Sequence, residues 1–294
     1  MIFLSLGSTY KDVVIHLPKG KDAFTRQQLY VAASRCTNLT GLYFNGTFAA
    51  PAVHHGMDKV ATELCRLRSQ SRISFDSFDT VVTDRIKTVL FHNIQSFTLH
   101  RMDILRHGTY TSADILCFVE PRTLPDDVVE LPGFNLLCRL DCSVSRRNSY
   151  GMLVFCRQNL GTAFKDKWER KYKGSHCEIV AITFDQILIY VVYKSPKFPQ
   201  SLFCDMLRGA LLQYVDCKIA IVGDFNIERS STAGNTVDQL LQNFSLVSNL
   251  IAKTSTSADT LIDYCYSNMP HATADIFHSG FSFHFPLLLK LLTQ

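Results

Sequence analysis

The sequence has no apolar run long enough to span a bilayer, although 47% of its 294 residues are hydrophobic. A membrane-crossing helix needs about 18 or more consecutive apolar residues, so we predict no membrane-spanning segment. The first ten residues also lack the basic region and apolar stretch of a secretory signal. We therefore expect an intracellular protein with one substantial core and a small additional unit.

Two kinds of binding site are also missing from the sequence. Its ten cysteines lack the paired spacing of zinc sites, since no second pair or histidine cluster follows Cys138 and Cys142. We therefore predict reduced thiols and no structural zinc. The chain has no Gly-x-x-x-x-Gly-Lys-Ser/Thr loop to cradle nucleotide phosphates, so we expect no ATP site.

Three regions of the chain differ in their pattern of residues. Residues 1–48 read as strand, turn, helix and strand, and residues 49–85 as a linker with one helix. The remainder, 86–294, predicts an α/β (α+β) fold of stacked sheets, because paired strands alternate there with a few helices. Strands are predicted at 87–92, 115–119, 152–156, 178–184, 187–193, 218–222, 261–266 and near 287, and helices near 99–107, 202–215 and 237–246.

The net charge of +4 is unevenly distributed along the chain. Between Arg139 and Lys173 there are nine basic residues against three acidic ones, interleaved with Tyr150, Trp168 and Tyr172. Basic side chains neutralise phosphates, and aromatic rings stack on exposed bases. The segment is therefore either a nucleic-acid-binding face or a solvated surface helix and loop.

The sharpest motif is Gly-Asp-Phe-Asn at 223–226, which ends an apolar strand. Because side chains along a strand alternate with a period of two, Asp224 and Asn226 should emerge on the same side. A carboxylate and an amide at a strand end suit a scissile phosphate and its attacking water. The alternative is an Asx turn after a buried strand.

Five further strand ends each carry one polar group that can bind a metal or a phosphate: Asn93, Glu120, Tyr193, Asp263 and His284. Placing such groups in buried strands is costly unless they converge on a charged partner. We therefore predict that the six strand ends meet at one site.

This ordered set resembles the endonuclease/exonuclease/phosphatase family, especially its abasic-endonuclease-like members in mobile elements. The resemblance covers roughly residues 86–294 and rests on Gly-Asp-Phe-Asn at 223–226 and on an Ile-Asp strand followed by a Ser-x-His ending at 282–284. It implies a four-layer α/β sandwich of two packed sheets flanked by helices. The implied activity is endonucleolytic hydrolysis of DNA, with a nuclear location.

The resemblance further implies a metal site. Glu120 would hold a Mg²⁺ ion, with Mn²⁺ as an alternative, and Asn93 would support that site. Phosphodiester hydrolysis needs the charge on the non-bridging oxygens to be neutralised, and a hard cation held by carboxylate oxygens does this.

For the catalytic groups, the resemblance implies that Tyr193 and Asn226 contact the scissile phosphate. Asp224 would orient or deprotonate the water. His284, paired with Asp263, would contribute electrostatically and in proton transfer.

One position departs from the family pattern. The family usually ends in Ser-Asp-His, whereas this chain has Ser282, Phe283 and His284. An apolar ring thus replaces a carboxylate that helps to place metal or water. We predict a weakened enzyme, and the alternatives are an inactive DNA-binding remnant or a phosphatase that acts on lipid or nucleotide.

Residues 7–19 and 25–35 resemble the last two motifs of PIF-type superfamily-one DNA helicases, which Helitron-class transposons encode. In that family the arginine matching Arg35 reaches the γ-phosphate of ATP. Because a phosphate loop is missing, we predict a small α/β helicase remnant, and a fragment of an ATP-dependent helicase is the alternative. A helicase tail before this type of nuclease favours DNA as the partner.

Overall fold

The computed structural model describes residues 10–16, 30, 32–46, 86–142, 145, 149–158, 160–214, 216–252 and 254–292. The chain divides into two compact units, Met1–Thr80 and Val81–Gln294. No helix among these described residues is long and apolar enough to cross a bilayer.

The described part of the first unit contains a parallel pair of strands, β1 (Val13–His16) and β2 (Leu42–Asn45). Both lie where the sequence predicts extended structure. The helix predicted between them is described only near its end, where residues 30, 32 and 33 are helical. The predicted linker, residues 49–85, lies outside the described residues.

The second unit contains two six-stranded mixed sheets. The first sheet consists of β3 (Ile86–Asn93), β4 (Ile115–Val119), β5 (Phe134–Leu140), β6 (Met152–Arg157), β13 (Thr273–Ile276) and β14 (Leu287–Leu292). The second consists of β7 (Thr162–Tyr172), β8 (Ser175–Phe184), β9 (Ile187–Lys194), β10 (Lys218–Asp224), β11 (Val247–Ser248) and β12 (Asp263–Ser267). Their strand orders are β13-β14-β3-β4-β6-β5 and β11-β12-β10-β9-β8-β7.

Four helices are described in this unit: α1 (Phe97–Arg106), α2 (Gly108–Ser112), α3 (Gln200–Leu212) and α4 (Thr232–Gln242). Two of them begin at a serine that satisfies a free backbone N–H. Ser96 Oγ accepts from Leu99 N at the start of α1, and Ser231 Oγ accepts from Gly234 N at the start of α4.

Period-two alternation sorts the strand residues into separate cores. On β3, Val89 and Phe91 pack into the core between the two sheets, whereas Leu90 packs with Phe97 and Ile104 of α1. The outer face of the second sheet packs in the same way against α3 and α4. The order helices, sheet, sheet, helices confirms the predicted four-layer sandwich.

Four strands of this unit were not predicted from the sequence: β5, β7 and the short strands β11 and β13. Strand β7 lies within the basic segment and carries four of its nine basic residues, and every residue from 162 to 172 is at least partly exposed. The surface-helix interpretation of that segment is therefore wrong for these residues. Arg146 and Arg147 lie outside the described residues.

Candidate active site

Four polar side chains form a row across the second sheet. Asp224, the last residue of β10, pairs with Tyr193 of β9 on one side and with Asp263 of β12 on the other. Tyr193 in turn pairs with Glu178 of β8. Paired residues on neighbouring strands share a face, and here the row faces the first sheet, since Tyr193 belongs to the inter-sheet core.

The first sheet supplies three more polar groups from neighbouring strands. Asn93 ends β3, Glu120 directly follows β4, and His284 precedes β14. The amide Nδ2 of Asn93 donates to Asp224 Oδ2 over 2.9 Å, and the imidazole of His284 lies between Asp224 and Asp263. The two sheets therefore bring these groups to one place.

His284 is held on both sides by carboxylates. Its Nδ1 lies 2.9 and 3.1 Å from the two carboxylate oxygens of Asp263, and its Nε2 lies 3.8 Å from Asp224 Oδ2. Burial disfavours a charged imidazole, but the charges and hydrogen bond of Asp263 and the charge of Asp224 outweigh it and raise the pKa of His284 to about 9. The ring is thus a cation at neutral pH, and its Nδ1–H donates to Asp263.

Asp224 is fully buried, and burial together with the charge of Asp263 raises the pKa of its carboxyl. The hydrogen bond from Asn93 and the charge of His284 act in the opposite direction. A protonated carboxyl here would be a poor base, so an active site of this kind needs an additional positive charge near Asp224.

The donor groups around Asp224 fit a divalent cation. Ligand atoms of Asp224, Asp263 and His284 all lie within 4.8 Å of one another. The buried Asn93 Oδ1 has no hydrogen-bond partner among the described residues. Carboxylate and amide oxygens are ligands that Mg²⁺ and Mn²⁺ accept. Asp224, to which the sequence assigned only a catalytic role, thus joins the predicted metal residues Asn93 and Glu120 as a candidate ligand, whereas a protonated His284 has no nitrogen lone pair to offer a cation.

Tyr193 connects the predicted metal residue Glu120 to the row across the second sheet. Its hydroxyl lies 3.0 Å from Glu120 Oε1 and also contacts the carbonyl of Ser149. One hydroxyl proton serves only one acceptor at a time, so Tyr193 can exchange partners. Burial, followed by the charges of Glu120 and Asp224, raises the pKa of Tyr193, and the hydroxyl therefore remains a donor at neutral pH.

The prediction that Asn226 follows the alternation of strand β10 is wrong, because the strand ends before this residue. The strand ends at Asp224, whose Oδ1 accepts from Asn226 N over 2.9 Å in an Asx turn. Asn226 has a left-handed φ of 46°, and its Nδ2 donates to the carbonyl of Lys194 over 2.9 Å. The half-buried amide thus sits beside the end of β9.

Three further residues shape the site. Ser282 Oγ donates to the carbonyl of Asn93 over 2.7 Å and accepts from His284 N. Phe283 is 42% exposed, and its ring meets that of His284 edge-on with centroids 5.5 Å apart. Glu178, which the sequence left without a role, is buried in the row and accepts from Gly151 N. Burial raises the pKa of Glu178 to about 7.

The model of the endonuclease/exonuclease/phosphatase family matches residues 90–273. No curated protein sequence matches the chain. Among solved structures, the endonuclease domain of TRAS1, a telomere-specific non-LTR retrotransposon, superposes with a TM-score of 0.53 at 13% identity, covering 71% of this chain and 99% of that one.

Two other solved structures superpose similarly. The catalytic domain of human Nocturnin gives a TM-score of 0.51 at 15% identity over 71% of this chain and 94% of that one. A variant of the 3′ phosphatase NExo from Neisseria, bound to a product DNA hairpin, gives 0.52 at 14% identity over 70% and 99%. At such identities these likenesses show the fold alone.

Proposed function

The chain belongs to the endonuclease/exonuclease/phosphatase family, and we propose that it hydrolyses phosphodiester bonds of DNA with a divalent metal ion. One observation carries the proposal. Nε2 of the buried His284 lies 3.8 Å from Asp224 while its Nδ1 is bound to Asp263. This pairs a group that can take a proton from water with a cation that can stabilise the charge of the attacked phosphate.

Asp224 would orient the attacking water and accept its proton. Asp263 fixes His284 as the cation described above, so that the Nε2–H can donate to a phosphate oxygen. The hydroxyl of Tyr193 would leave its present acceptors, Glu120 and the carbonyl of Ser149, and donate a hydrogen bond to the same phosphate. Asn226 would contact the phosphate with its amide.

Asn93 Oδ1, Glu120 and Asp224 are the groups that would hold Mg²⁺ or Mn²⁺. When bound, such an ion neutralises charge on the phosphate oxygens and orients the leaving group. It would also lower the pKa of Asp224, because a nearby positive charge favours the carboxylate. The same carboxylate would then be able to act as a base at neutral pH.

DNA as the substrate, origin in a Helitron-like transposon and a nuclear location form the finer part of this proposal. The helicase-like motifs at residues 7–19 and 25–35 support it, as does the parallel pairing of β1 with β2, which agrees with the strands expected there. Arg35 matches the helicase arginine that reaches ATP, but the sequence has no Gly-x-x-x-x-Gly-Lys-Ser/Thr loop to hold the nucleotide phosphates.

An inactive DNA-binding remnant is the second candidate, and Phe283 favours it. This ring stands where the family has a carboxylate and lies against His284. The remaining site groups favour activity, because His284 still lies between Asp224 and Asp263 although the Phe283 ring is next to it.

A nicking assay on supercoiled plasmid, with Mg²⁺ and with chelator, tests the proposal. We expect metal-dependent nicking that Asp224→Ala abolishes, whereas Asp205→Ala, which removes an exposed acid on α3, should leave it unchanged. DNA binding without nicking would establish the inactive remnant. Release of phosphate from lipid or nucleotide, with intact plasmid, would assign the site to a phosphatase.

A further inference from the structure

A buried histidine next to the metal residue Asn93 is bonded to the backbone of His284. His92 is fully buried on β3, and its Nε2 lies 3.0 Å from the carbonyl oxygen of His284. Its Nδ1 lies 2.8 Å from the hydroxyl of Tyr110 in α2. Neither His92 nor Tyr110 was assigned a role from the sequence.

The hydrogen bonds define which nitrogen of His92 carries the proton. A carbonyl can only accept, so Nε2–H of His92 donates to His284 and Nδ1 accepts from the Tyr110 hydroxyl. Burial lowers the pKa of His92 to about 3, which agrees with a neutral ring. Tyr110 thus fixes both the tautomer and the orientation of the ring.

His92 lies on the opposite side of β3 from the active site. Its strand neighbour Asn93 faces Asp224, and side chains alternate along a strand. His92 instead contacts Tyr110 and, edge-on at 5.4 Å between centroids, Phe281. Its hydrogen bond to the carbonyl of His284 therefore connects it to the reacting groups through the backbone.

Strand β3 holds the segment before β14 at two consecutive points. The carbonyl of Asn93 accepts from Ser282 Oγ, and the side chain of His92 donates to the carbonyl of His284. These bonds clamp the peptide groups on either side of the His284 Cα. An apolar side chain of similar volume would fill the same space without the second bond.

We propose that His92 is a positioning residue, which together with Tyr110 fixes the backbone of His284 so that its ring stays between Asp263 and Asp224. This inference rests on the proposed hydrolytic function of that site. Displacement of a catalytic group by about 1 Å can cost ~10²-fold in rate, so loss of the His92 bond should act on kcat and leave KM nearly unchanged.

The test compares His92→Leu, His92→Gln and Tyr110→Phe with the matched control His100→Leu. His100 also stacks on Phe281, at 4.9 Å between centroids, but its Nδ1 pairs with Asp103 and not with the backbone of His284. We expect His92→Leu to lower kcat by about 10²-fold. The amide nitrogen of His92→Gln should restore much of that loss, and Tyr110→Phe, which keeps the core filled, should lower kcat by a smaller factor.

A second readout does not require activity. The Nδ1 proton of His284, bonded to Asp263, should give a low-field NMR resonance that shifts or broadens in His92→Leu and Tyr110→Phe but not in His100→Leu. If wild type is inactive, the proposed function fails, while this resonance still reports on positioning. An unchanged resonance and kcat in both His92→Leu and Tyr110→Phe, or equal losses in His100→Leu, would overturn the positioning role.

Discussion

Asn93 Nδ2 donates to Asp224 Oδ2 over 2.9 Å and so joins the last residue of β3 to the last residue of β10, in the other sheet. Both side chains are fully buried. The bond opposes the burial and the charge of Asp263 that raise the pKa of Asp224. Asn93 is therefore positioned both to offer Oδ1 to a cation and to favour the ionised form of Asp224.

Replacing Asn93 by Leu should raise the pKa of Asp224 further. Metal ligation requires the carboxylate form, so the affinity for Mg²⁺ at pH 7 should fall and should partly recover at higher pH. Isothermal titration calorimetry at pH 7 and pH 9 measures this, with Asn135→Leu at an exposed position of strand β5 as the control. An equal loss at both pH values would mean that Asn93 acts only as a ligand.

Gly223 lets β10 approach β9 directly before Asp224. A Cβ at this position would lie 2.3 Å from the carbonyl oxygen of Val192, so the backbone would have to move. We expect Gly223→Ala to cost about 1–3 kcal/mol of unfolding free energy and to abolish nicking. Gly209→Ala on α3, where a Cβ meets nothing within 4 Å, should instead stabilise by about 0.5–1 kcal/mol. Urea unfolding compares the two variants.

The pKa of His284 predicts how stability depends on pH. Its folded value of about 9 lies above the ordinary 6.5, so its stabilising contribution is complete below pH 6.5 and is lost as the pH rises through 9. The raised pKa of Asp224 acts in the same sense. Metal-free protein should therefore lose on the order of 3 kcal/mol across this range from His284.

Asp263→Asn removes the principal cause of the raised pKa of His284. The variant should be less stable than wild type below pH 6.5, and its stability should change little between pH 6.5 and 9. Urea unfolding in chelator at several pH values provides the comparison. An unaltered pH slope would show that His284 is neutral in the folded protein.

The buried strands could be predicted because their residues are almost continuously apolar. The run before Asp224 and the run before Tyr193 both formed the expected strands, β10 and β9. Strand β7 escaped prediction because it lies at the edge of its sheet, where charged residues such as Lys167 and Glu169 pair with each other over 2.7 Å and remain exposed. Because charged residues occupy both faces of β7, its sequence lacks the alternation of apolar and polar residues that predicts a strand.

The residues of the candidate site were likewise only partly predictable from the sequence. Strand ends pointed to Asp224, Asp263 and His284, but their contacts depend on register between strands distant in sequence, which no local pattern specifies. Glu178 and His92 were missed for this reason. Each is a polar residue next to a run of buried apolar ones, and only the pairing shows that Glu178 joins the row of Asp224.

If the basic segment between Arg139 and Lys173 binds DNA, affinity should fall with rising salt, with a log–log slope of about −0.9 per phosphate contact. Replacing Arg146, Arg147 and Lys171 together by Gln should flatten that slope. Lys171 is exposed on β7, with its ammonium 6.0 Å from the Tyr150 ring. Lys218→Gln, at the end of β10 remote from Asp224, is the control. An unchanged slope in the triple variant would locate the DNA surface elsewhere.

Phe283→Asp distinguishes a weakened enzyme from an inactive remnant. The ring is 42% exposed, so a shorter, charged side chain can occupy the position without leaving a buried cavity. A phenyl ring cannot accept a hydrogen bond from water or approach a cation as a carboxylate does. We therefore expect Phe283→Asp to raise metal-dependent nicking by about 10²-fold, equivalent to ~2.7 kcal/mol of transition-state stabilisation.

The origin of such a gain can be checked within the same site. The double variant Phe283→Asp with Asp224→Ala should be inactive, because the restored carboxylate can only assist a water that Asp224 orients. Phe283→Asn, which is polar but uncharged, should recover less activity if the charge matters for holding the cation. A folded Phe283→Asp protein that binds DNA and still leaves the plasmid intact would mean that the damage extends beyond this residue. The inactive remnant would then be the better description of the chain.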